Sequence, residues 1–439
     1  MAVHMNVRVI SKEYVKPSSP TPPHLATFNI SLFDQLNPSL YLPLILFYVP
    51  DDACPTTDRI SVLKSSLSGL LSHFYPLAGK IQGNFSIECN DDGAVFIETS
   101  VDCSLSEVLS SPDPIEMRKL LPVEMESTEA LTGDLLLVQV NAFRCGGLAL
   151  GLLMSHKICD ACTMGTFLTS WAKWAHDPAT VEPPRLDAST YFPPSPNLAK
   201  LPVVTLPRAK CATKRYFFDS KKIAALVKGS SSQAVARPTR VEAVLGLVWK
   251  CSTTASRQAA AATSSPRKLS IFSQSVNLRQ RLTPPLPVNT LGNVVACFTA
   301  EIAKDNDEMQ LKDLVQGLRS GKDEYFGNFL KKEMVAQRAS AVICEGGRKY
   351  VQAVNNEDLD FYNCVCWCRF PLYDVDFGWG KPAWVGVMGM EFQNSVIMLD
   401  SNGGDGIEVW LTLKEEEMAE LDRDQELLEY ASLNPAVIY

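Results

Sequence analysis

Leu152-Leu153-Met154-Ser155-His156-Lys157-Ile158-Cys159-Asp160 is the stretch on which the reading of this chain turns. It carries one of only five histidines, placed where an apolar run from Leu148 to Met154 ends. The run reads as a buried strand. Gly146-Gly147 turn it back from Leu135 to Phe143, where Leu137, Gln139 and Asn141 alternate with Val138, Val140 and Ala142. After Asp160 the period changes. Met164, Phe167, Leu168, Trp171 and Ala175 recur at helical spacing, which puts Asp160 at a helix start, where carboxylates cap the free backbone N–H groups. His156 then lies on a strand-to-helix crossing that faces a cleft, and imidazole exchanges a proton near neutral pH without metal or cofactor.

Two plainer readings compete. A histidine beside an apolar strand is commonly a hydrogen-bonded core residue. His156, Cys159 and Cys162 also formally make a Cys-x-x-Cys metal or redox cluster. No second Cys/His pair stands at zinc-site spacing, so a metal is not expected.

A distant motif, Asp376-Phe377-Gly378-Trp379-Gly380-Lys381-Pro382, favours catalysis. His-x-x-x-Asp in mid-chain with Asp-Phe-Gly-Trp-Gly near the end resembles the plant BAHD acyltransferases, which use acyl-CoA. Ser31-Leu32-Phe33-Asp34-Gln35, Tyr75-Pro76-Leu77-Ala78-Gly79-Lys80, Val276-Asn277-Leu278-Arg279-Gln280-Arg281 and Gly292-Asn293 agree in the same order. The resemblance implies an α/β fold of two similar chloramphenicol-acetyltransferase-like domains, with mixed sheets and a tunnel between them. It puts the general base on His156. It makes Asp160 structural, bridging to Arg279, with Arg281 as alternative. Asp376 is a candidate for direct participation because it brings a carboxylate, although two glycines and an aromatic also describe a rigid turn. Gly378, Trp379 and Gly380 would shape the CoA side, and Lys250, Arg267, Lys268 and Lys381 could meet CoA phosphates. Where the family commonly has glycine after the aspartate, this chain has Ala161.

Composition sets outer bounds. At 439 residues the chain suggests two or three domains, and 46% hydrophobic against 21% charged residues is that of a soluble globular protein. No apolar run reaches roughly 18 residues, and no signal pattern opens the chain, so neither membrane insertion nor export is expected. Thirteen scattered cysteines without framework spacing suggest reduced thiols in the cytoplasm. A net charge of −8 argues against nucleic acid or an anionic membrane as partner, and a monomer is expected.

Along the chain, strands are expected at residues 6–12, at Tyr41–Val49, and as a hairpin of Lys80–Cys89 and Ala94–Cys103 turning at Asn90-Asp91-Asp92-Gly93. An amphipathic helix starts near Thr57. Eight prolines between 177 and 208 mark a crossover, dividing residues 1–200 from 209–439. Thr239-Arg240-Val241-Glu242 is a capping box opening a helix. Strands follow at Leu269–Asn277 and Asn293–Ile302, then a helix from Met309 to about Gln337. Strands at Asp360–Phe370, Trp384–Met390, Asn394–Asp400 and Ile407–Leu413 precede an acidic helix from Glu415.

Acyl transfer from a thioester needs a base, a place for the oxyanion and exclusion of water. No Gly-x-Ser-x-Gly elbow competes with His156. The resemblance implies acetyl transfer from acetyl-CoA, a co-substrate and not a bound cofactor, to a small-molecule alcohol. The branch resemblance points to alkaloid or terpenoid alcohols. The apolar segments Leu152–Ser155 and Phe361–Phe370, read as lining the cleft, offer a malonyl carboxylate only Arg369. Hydroxycinnamoyl or benzoyl transfer, thioester hydrolysis and a silent scaffold of the same fold are the alternatives.

Overall fold

The computed structural model describes residues 3–439, apart from 197, 199–209, 304, 306, 307, 333–335 and 391. The expected division near residue 200, with Pro202 and Pro207, lies outside the described residues. In the first half the strands are β1 (Val7–Val15), β2 (Thr27–Asn29), β3 (Tyr41–Tyr48), β4 (Lys80–Gln82), β5 (Ser86–Glu88), β6 (Ala94–Val101), β7 (Leu136–Phe143) and β8 (Leu148–Ser155). The second half has β9 (Cys211–Phe218), β10 (Leu269–Asn277), β11 (Val295–Ile302), β12 (Leu359–Cys366), β13 (Trp384–Gly386), β14 (Ser395–Asp400), β15 (Ile407–Lys414) and β16 (Ser432–Leu433). They form a mixed six-stranded sheet ordered β1-β6-β7-β8-β3-β13, a mixed seven-stranded sheet ordered β11-β10-β12-β14-β15-β9-β16, and a small sheet β2-β5-β4.

Helices cover these sheets because their apolar stripes need a face to bury. The main ones are α1 (Leu32–Leu36), α2 (Thr56–Leu71), α3 (Ala161–His176), α4 (Arg240–Ala262), α5 (Leu311–Lys332), α6 (Ala336–Val354) and α7 (Glu415–Leu421). Trp171 of α3 is fully buried in the first core and donates to Ser66 Oγ of α2 at 2.9 Å. On the second sheet Trp249 of α4 packs on Phe272 and donates to Ser270 Oγ at 2.9 Å. Helix α4 opens with the anticipated capping box of Thr239 and Glu242. No helix among the described residues is long and apolar enough to cross a membrane.

Four expectations change. Lys80–Cys89 does not pair with Ala94–Cys103: β4 and β5 pair with each other across Gly83, whose φ of 60° makes that turn, and β6 pairs with β1 and β7. Asn90–Gly93 therefore connects two sheets. The single helix expected from Met309 is followed by a second one, α6, on which Ile343, Val351 and Val354 are buried at helical spacing. Leu152 to Ser155 line no cleft, since all four are essentially inaccessible core residues of β8.

The largest departure is β13. The sequence pattern extends it over Trp384–Met390 within the second half. It is three residues long and pairs antiparallel with β3, so the second half completes the edge of the first sheet. Trp384 explains the attachment. Its ring stacks on Phe47 of β3 at 5.2 Å and on Trp410 of β15 at 6.0 Å, and Arg215 of β9 lies 5.1 Å above it. Its indole N–H donates to Glu408 Oε1 at 3.0 Å, and that carboxylate also accepts from Arg215 at 3.0 Å. One buried aromatic thus touches both sheets. Trp384→Ala should lose about 3–5 kcal/mol of stability, read as a lowered urea midpoint; a loss under about 1 kcal/mol would contradict this packing role.

Candidate active site

Strand β8 delivers His156 to the crossing. Ser155 is its last strand residue, paired with Tyr41, and His156 N donates to Leu40 O at 2.8 Å. Ile158 N then donates to Ser155 O at 3.1 Å, which turns the chain, and Asp160 caps α3 by accepting from Thr163 N at 2.8 Å. Ala161 takes the first helical position.

The imidazole Nδ1 lies 2.8 Å from the Cys159 carbonyl oxygen. A carbonyl only accepts, so Nδ1 carries the proton and donates, and the neutral ring keeps its lone pair on Nε2. That is the tautomer a general base needs. Burial lowers the His156 pKa below the ordinary histidine value, with the Cys159 carbonyl and Asp160 opposing the shift. The residue as a whole is nonetheless only partly buried. The orienting group is therefore a backbone carbonyl, not a carboxylate.

Asp160 faces elsewhere. Arg279, on the turn after β10, donates from Nη1 to Asp160 Oδ2 at 2.7 Å and from Nη2 to Oδ1 at 3.2 Å. The two side chains are 3% and 0% exposed, so the pair is formed in a dry interior. Val294 N adds a bond to Asp160 Oδ2 at 3.0 Å. Arg279 also donates from Nη2 to Gly292 O at 2.7 Å, from Nε to Thr290 O at 3.2 Å and from Nη1 to Asn277 Oδ1 at 3.2 Å. Burial pushes the Asp160 pKa up, but Arg279 together with the backbone N–H groups of Thr163 and Val294 holds the carboxyl below its usual value. Arg281 is exposed and donates to Asn277 O, so it takes no part in the pair.

A second buried group was not anticipated. Asp34 of α1 accepts at Oδ1 from Asn293 N (2.6 Å) and Nδ2 (2.8 Å), and at Oδ2 from Ser31 N (2.8 Å) and Oγ (2.7 Å). Asn293 Nδ2 also donates to the His156 carbonyl at 2.7 Å. Gly292 has φ 111°, and a Cβ there would stand 3.2 Å from Asp34 Oδ2, so glycine is required. Lys157, beside the base, donates to Asn84 Oδ1 at 2.9 Å and Gln35 O at 3.2 Å, and burial lowers its pKa to about 8. The sequence signal for this cluster existed in Leu-x-x-Asp-Gln and Gly-Asn, but no spacing links residues 259 positions apart.

The Asp376 loop is remote from this chemistry. His176, the last residue of α3, has Nε2 2.9 Å from the Asp376 carbonyl. A helix of 16 residues rises about 24 Å, so Asp376 sits at the opposite end of α3 from His156. Its carboxylate accepts from Gly378 N at 2.8 Å and Gly380 N at 3.0 Å, closing its own turn. The Asp376 carboxylate, expected as a candidate for direct participation, is thus placed away from the imidazole and bonded within its own loop. Gly378 and Gly380 both have positive φ, and Trp379 is 7% exposed, stacked on Phe377 with Arg59 above it. Lys381 pairs with Asp374 at 2.8 Å and Lys250 with Glu426 at 2.6 Å, which engages both charges. Arg267 and Lys268 lie in the loop between α4 and β10. Cys159 and Cys162 direct their thiols at different carbonyls, those of Asp160 and Val288, and no group of metal-ligating side chains occurs among the described residues.

The pattern of the Transferase family matches residues 5–428, nearly the whole chain. The chain belongs to the BAHD acyltransferases. It is 35% identical to an epi-neemfruitin B 7-O-acetyltransferase from Melia azedarach, over 98% of this chain and 100% of that one. It is 33% identical to a 17,18-epoxy-17-hydroxycur-19-ene N-malonyltransferase from Strychnos nux-vomica, over 97% and 91%. The crystal structure of vinorine synthase superposes with a TM-score of 0.84 at 32% identity, covering 99% and 100% of the two chains.

In this BAHD chain the buried pair should be structural. Asp160→Asn leaves Arg279 charged and uncompensated, at a cost of roughly 3–5 kcal/mol. Thermal denaturation should show a large drop in Tm; an unchanged Tm with lost activity would assign Asp160 to the imidazole instead.

Proposed function

We propose that this enzyme transfers an acetyl group from acetyl-CoA to a hydroxyl of an alkaloid or terpenoid alcohol, with His156 as general base. The observation that carries the reading is the Nδ1–H···O=C bond to Cys159, which leaves Nε2 as the bare nitrogen of a neutral ring. Nε2 takes the proton of the acceptor hydroxyl as its oxygen adds to the thioester carbonyl. The tetrahedral intermediate collapses, the C–S bond breaks, and the departing sulfur takes the proton from the imidazolium. The products are the ester and free CoA. A thioester already has a good leaving group, so no covalent enzyme intermediate is needed.

The electrostatics support an uncharged acyl group. Two buried cations lie near His156, Lys157 next to it in the chain and Arg279 on the turn after β10, and both are engaged: Arg279 with Asp160, and Lys157 with Gln35 and Asn84. A malonyl carboxylate would have to be buried without a free partner, which is costly. A silent scaffold has no use for a base held in its reactive tautomer.

Replacing His156 with alanine should leave a folded protein and cost on the order of 100- to 10,000-fold in kcat/KM. Turnover close to wild type in that variant would end the general-base reading. Because burial lowers the His156 pKa, the neutral ring persists to lower pH than usual. The acid limb of kcat/KM should therefore fall below the ordinary histidine value of about 6.5, with activity lost only on further acidification. Competition among acetyl-, malonyl- and coumaroyl-CoA for one limiting acceptor tests the donor. Preference for either of the other two would overturn the acetyl assignment while leaving the family intact.

A further inference from the structure

The second sheet has two unlike faces. Phe272 of β10, Tyr362 and Cys364 of β12, and Val396 and Met398 of β14 point outward into the apolar core under α4, and all are inaccessible. Side chains alternate along a strand, so Ser273, Ser275 and Asn277 of β10 and Phe361, Asn363 and Val365 of β12 point the other way. That inward face is turned to the first half of the chain, because Ile397 of β14, in register with Val365, belongs to the first core. Ser273 is closed, but the other five keep accessible surface although β10 and β12 are interior strands of the sheet. Accessible surface on the inner face of interior strands, between two halves of a chain, is the wall of a cleft.

Two polar groups on this wall are idle. Asn363 Oδ1 is closed to water and has no hydrogen-bond partner among the described residues. Ser273, its register neighbour on β10, has a fully buried Oγ with no oxygen or nitrogen partner, only the soft Cys297 thiol beside it. The other polar groups nearby are engaged, Ser275 Oγ with Cys297 Sγ at 3.5 Å and Asn277 Oδ1 with Arg279 Nη1 at 3.2 Å. A buried amide oxygen without a bond is unfavourable in the empty protein, and a ligand that brings a donor removes the penalty. We propose that Asn363, backed by Ser273, is a specificity-determining residue that hydrogen-bonds a second polar group of the acceptor alcohol, remote from the hydroxyl being acetylated. This rests on the acetyl-transfer reading with His156 as base.

The geometry sets the size of that acceptor. Asn277, bonded to the arginine of the buried pair, marks the catalytic end of β10. Ser273 and Asn363 lie four residues back, about 13 Å along the strand. An acceptor that reaches both ends is a polycyclic skeleton with polar groups on the order of 10 Å apart. The wall suits such a body, since Asn363 stands between Val365 and Phe361, whose ring meets Tyr350 of α6 edge-on at 5.5 Å. One idle amide in apolar surroundings orients a largely apolar ligand. The pantetheine arm of CoA, with two amides and a hydroxyl, needs more polar partners than this stretch leaves idle.

The test compares wild type with Asn363→Leu, which keeps the bulk and removes the amide, and with Ser273→Ala. Acceptors found by screening polycyclic alkaloid and terpenoid alcohols with acetyl-CoA are each paired with the derivative lacking the remote polar group. In wild type that derivative should show a kcat/KM lower by roughly tenfold, the worth of one hydrogen bond to a buried group. In Asn363→Leu the parent acceptor should fall to the level of its derivative, while the derivative itself and KM for acetyl-CoA stay near wild type. Ser273→Ala should give a smaller loss in the same direction. Collapse of the preference supports the proposal. Equal losses with parent and derivative, a change confined to KM for acetyl-CoA, or wild-type acceptors with no second polar group about 10 Å from the acetylated hydroxyl overturn it. If Asn363→Leu does not fold, the same comparison in Asn363→Ala decides. A wild type that acetylates no alcohol overturns the acetyl-transfer reading itself, and so is distinct from active variants with an unchanged preference.

Discussion

The buried pair between Asp160 and Arg279 is the constraint from which the rest follows. Two charges in a dry interior gain little net stability, because desolvation offsets their attraction. What they impose is geometry. Asp160 caps α3 and takes Val294 N, while Arg279 takes the carbonyls of Thr290 and Gly292. Any sliding of the β10–β11 turn past the start of α3 would strand one charge without its partner. The crossing that carries His156 is thus locked to a turn from the other half of the chain.

Neutralising Asp160 also decides the chemistry. Had the carboxylate faced the imidazole, it would have held the ring protonated and less available as a base. With Arg279 engaging that charge, orientation falls to the Cys159 carbonyl, which fixes the tautomer without adding a charge. Burial then favours the neutral ring. The same economy of charge extends to Asp34, whose carboxylate is closed by Ser31 and Asn293, so that its charge is met by hydrogen bonds within the interior.

What could be read from sequence follows physical range. The strand, turn and helix around His156 were legible because period and capping are local properties, and Asp160 as a helix cap follows from the change of period alone. Arg279 as its partner came from a family resemblance, since no local pattern ties residues 119 positions apart. The Cys159 carbonyl was invisible, as a backbone acceptor leaves no mark on residue type. Asn293 and Asp34 were quoted in motifs but had no evident job. Strand β13 misled for a related reason: Trp384-Val385-Gly386 reads as a strand, but the choice of β3 as neighbour depends on an aromatic stack across both sheets. The hairpin expected at Asn90–Gly93 fails because those residues run as an open connection from β5 to β6 in another sheet, and residue types that favour a turn do not specify which sheet follows. Asp376 invites a catalytic role by its charge, and the sequence gives no sign that the length of α3 separates it from His156.

The account stands on His156 being a neutral imidazole protonated at Nδ1. With five histidines in the chain, nitrogen-15 NMR of histidine-labelled protein, assigned by comparison with His156→Ala, measures this directly. At neutral pH, His156 should show a protonated, slowly exchanging Nδ1 and a bare Nε2. A proton on Nε2, or an imidazolium at neutral pH, would contradict it.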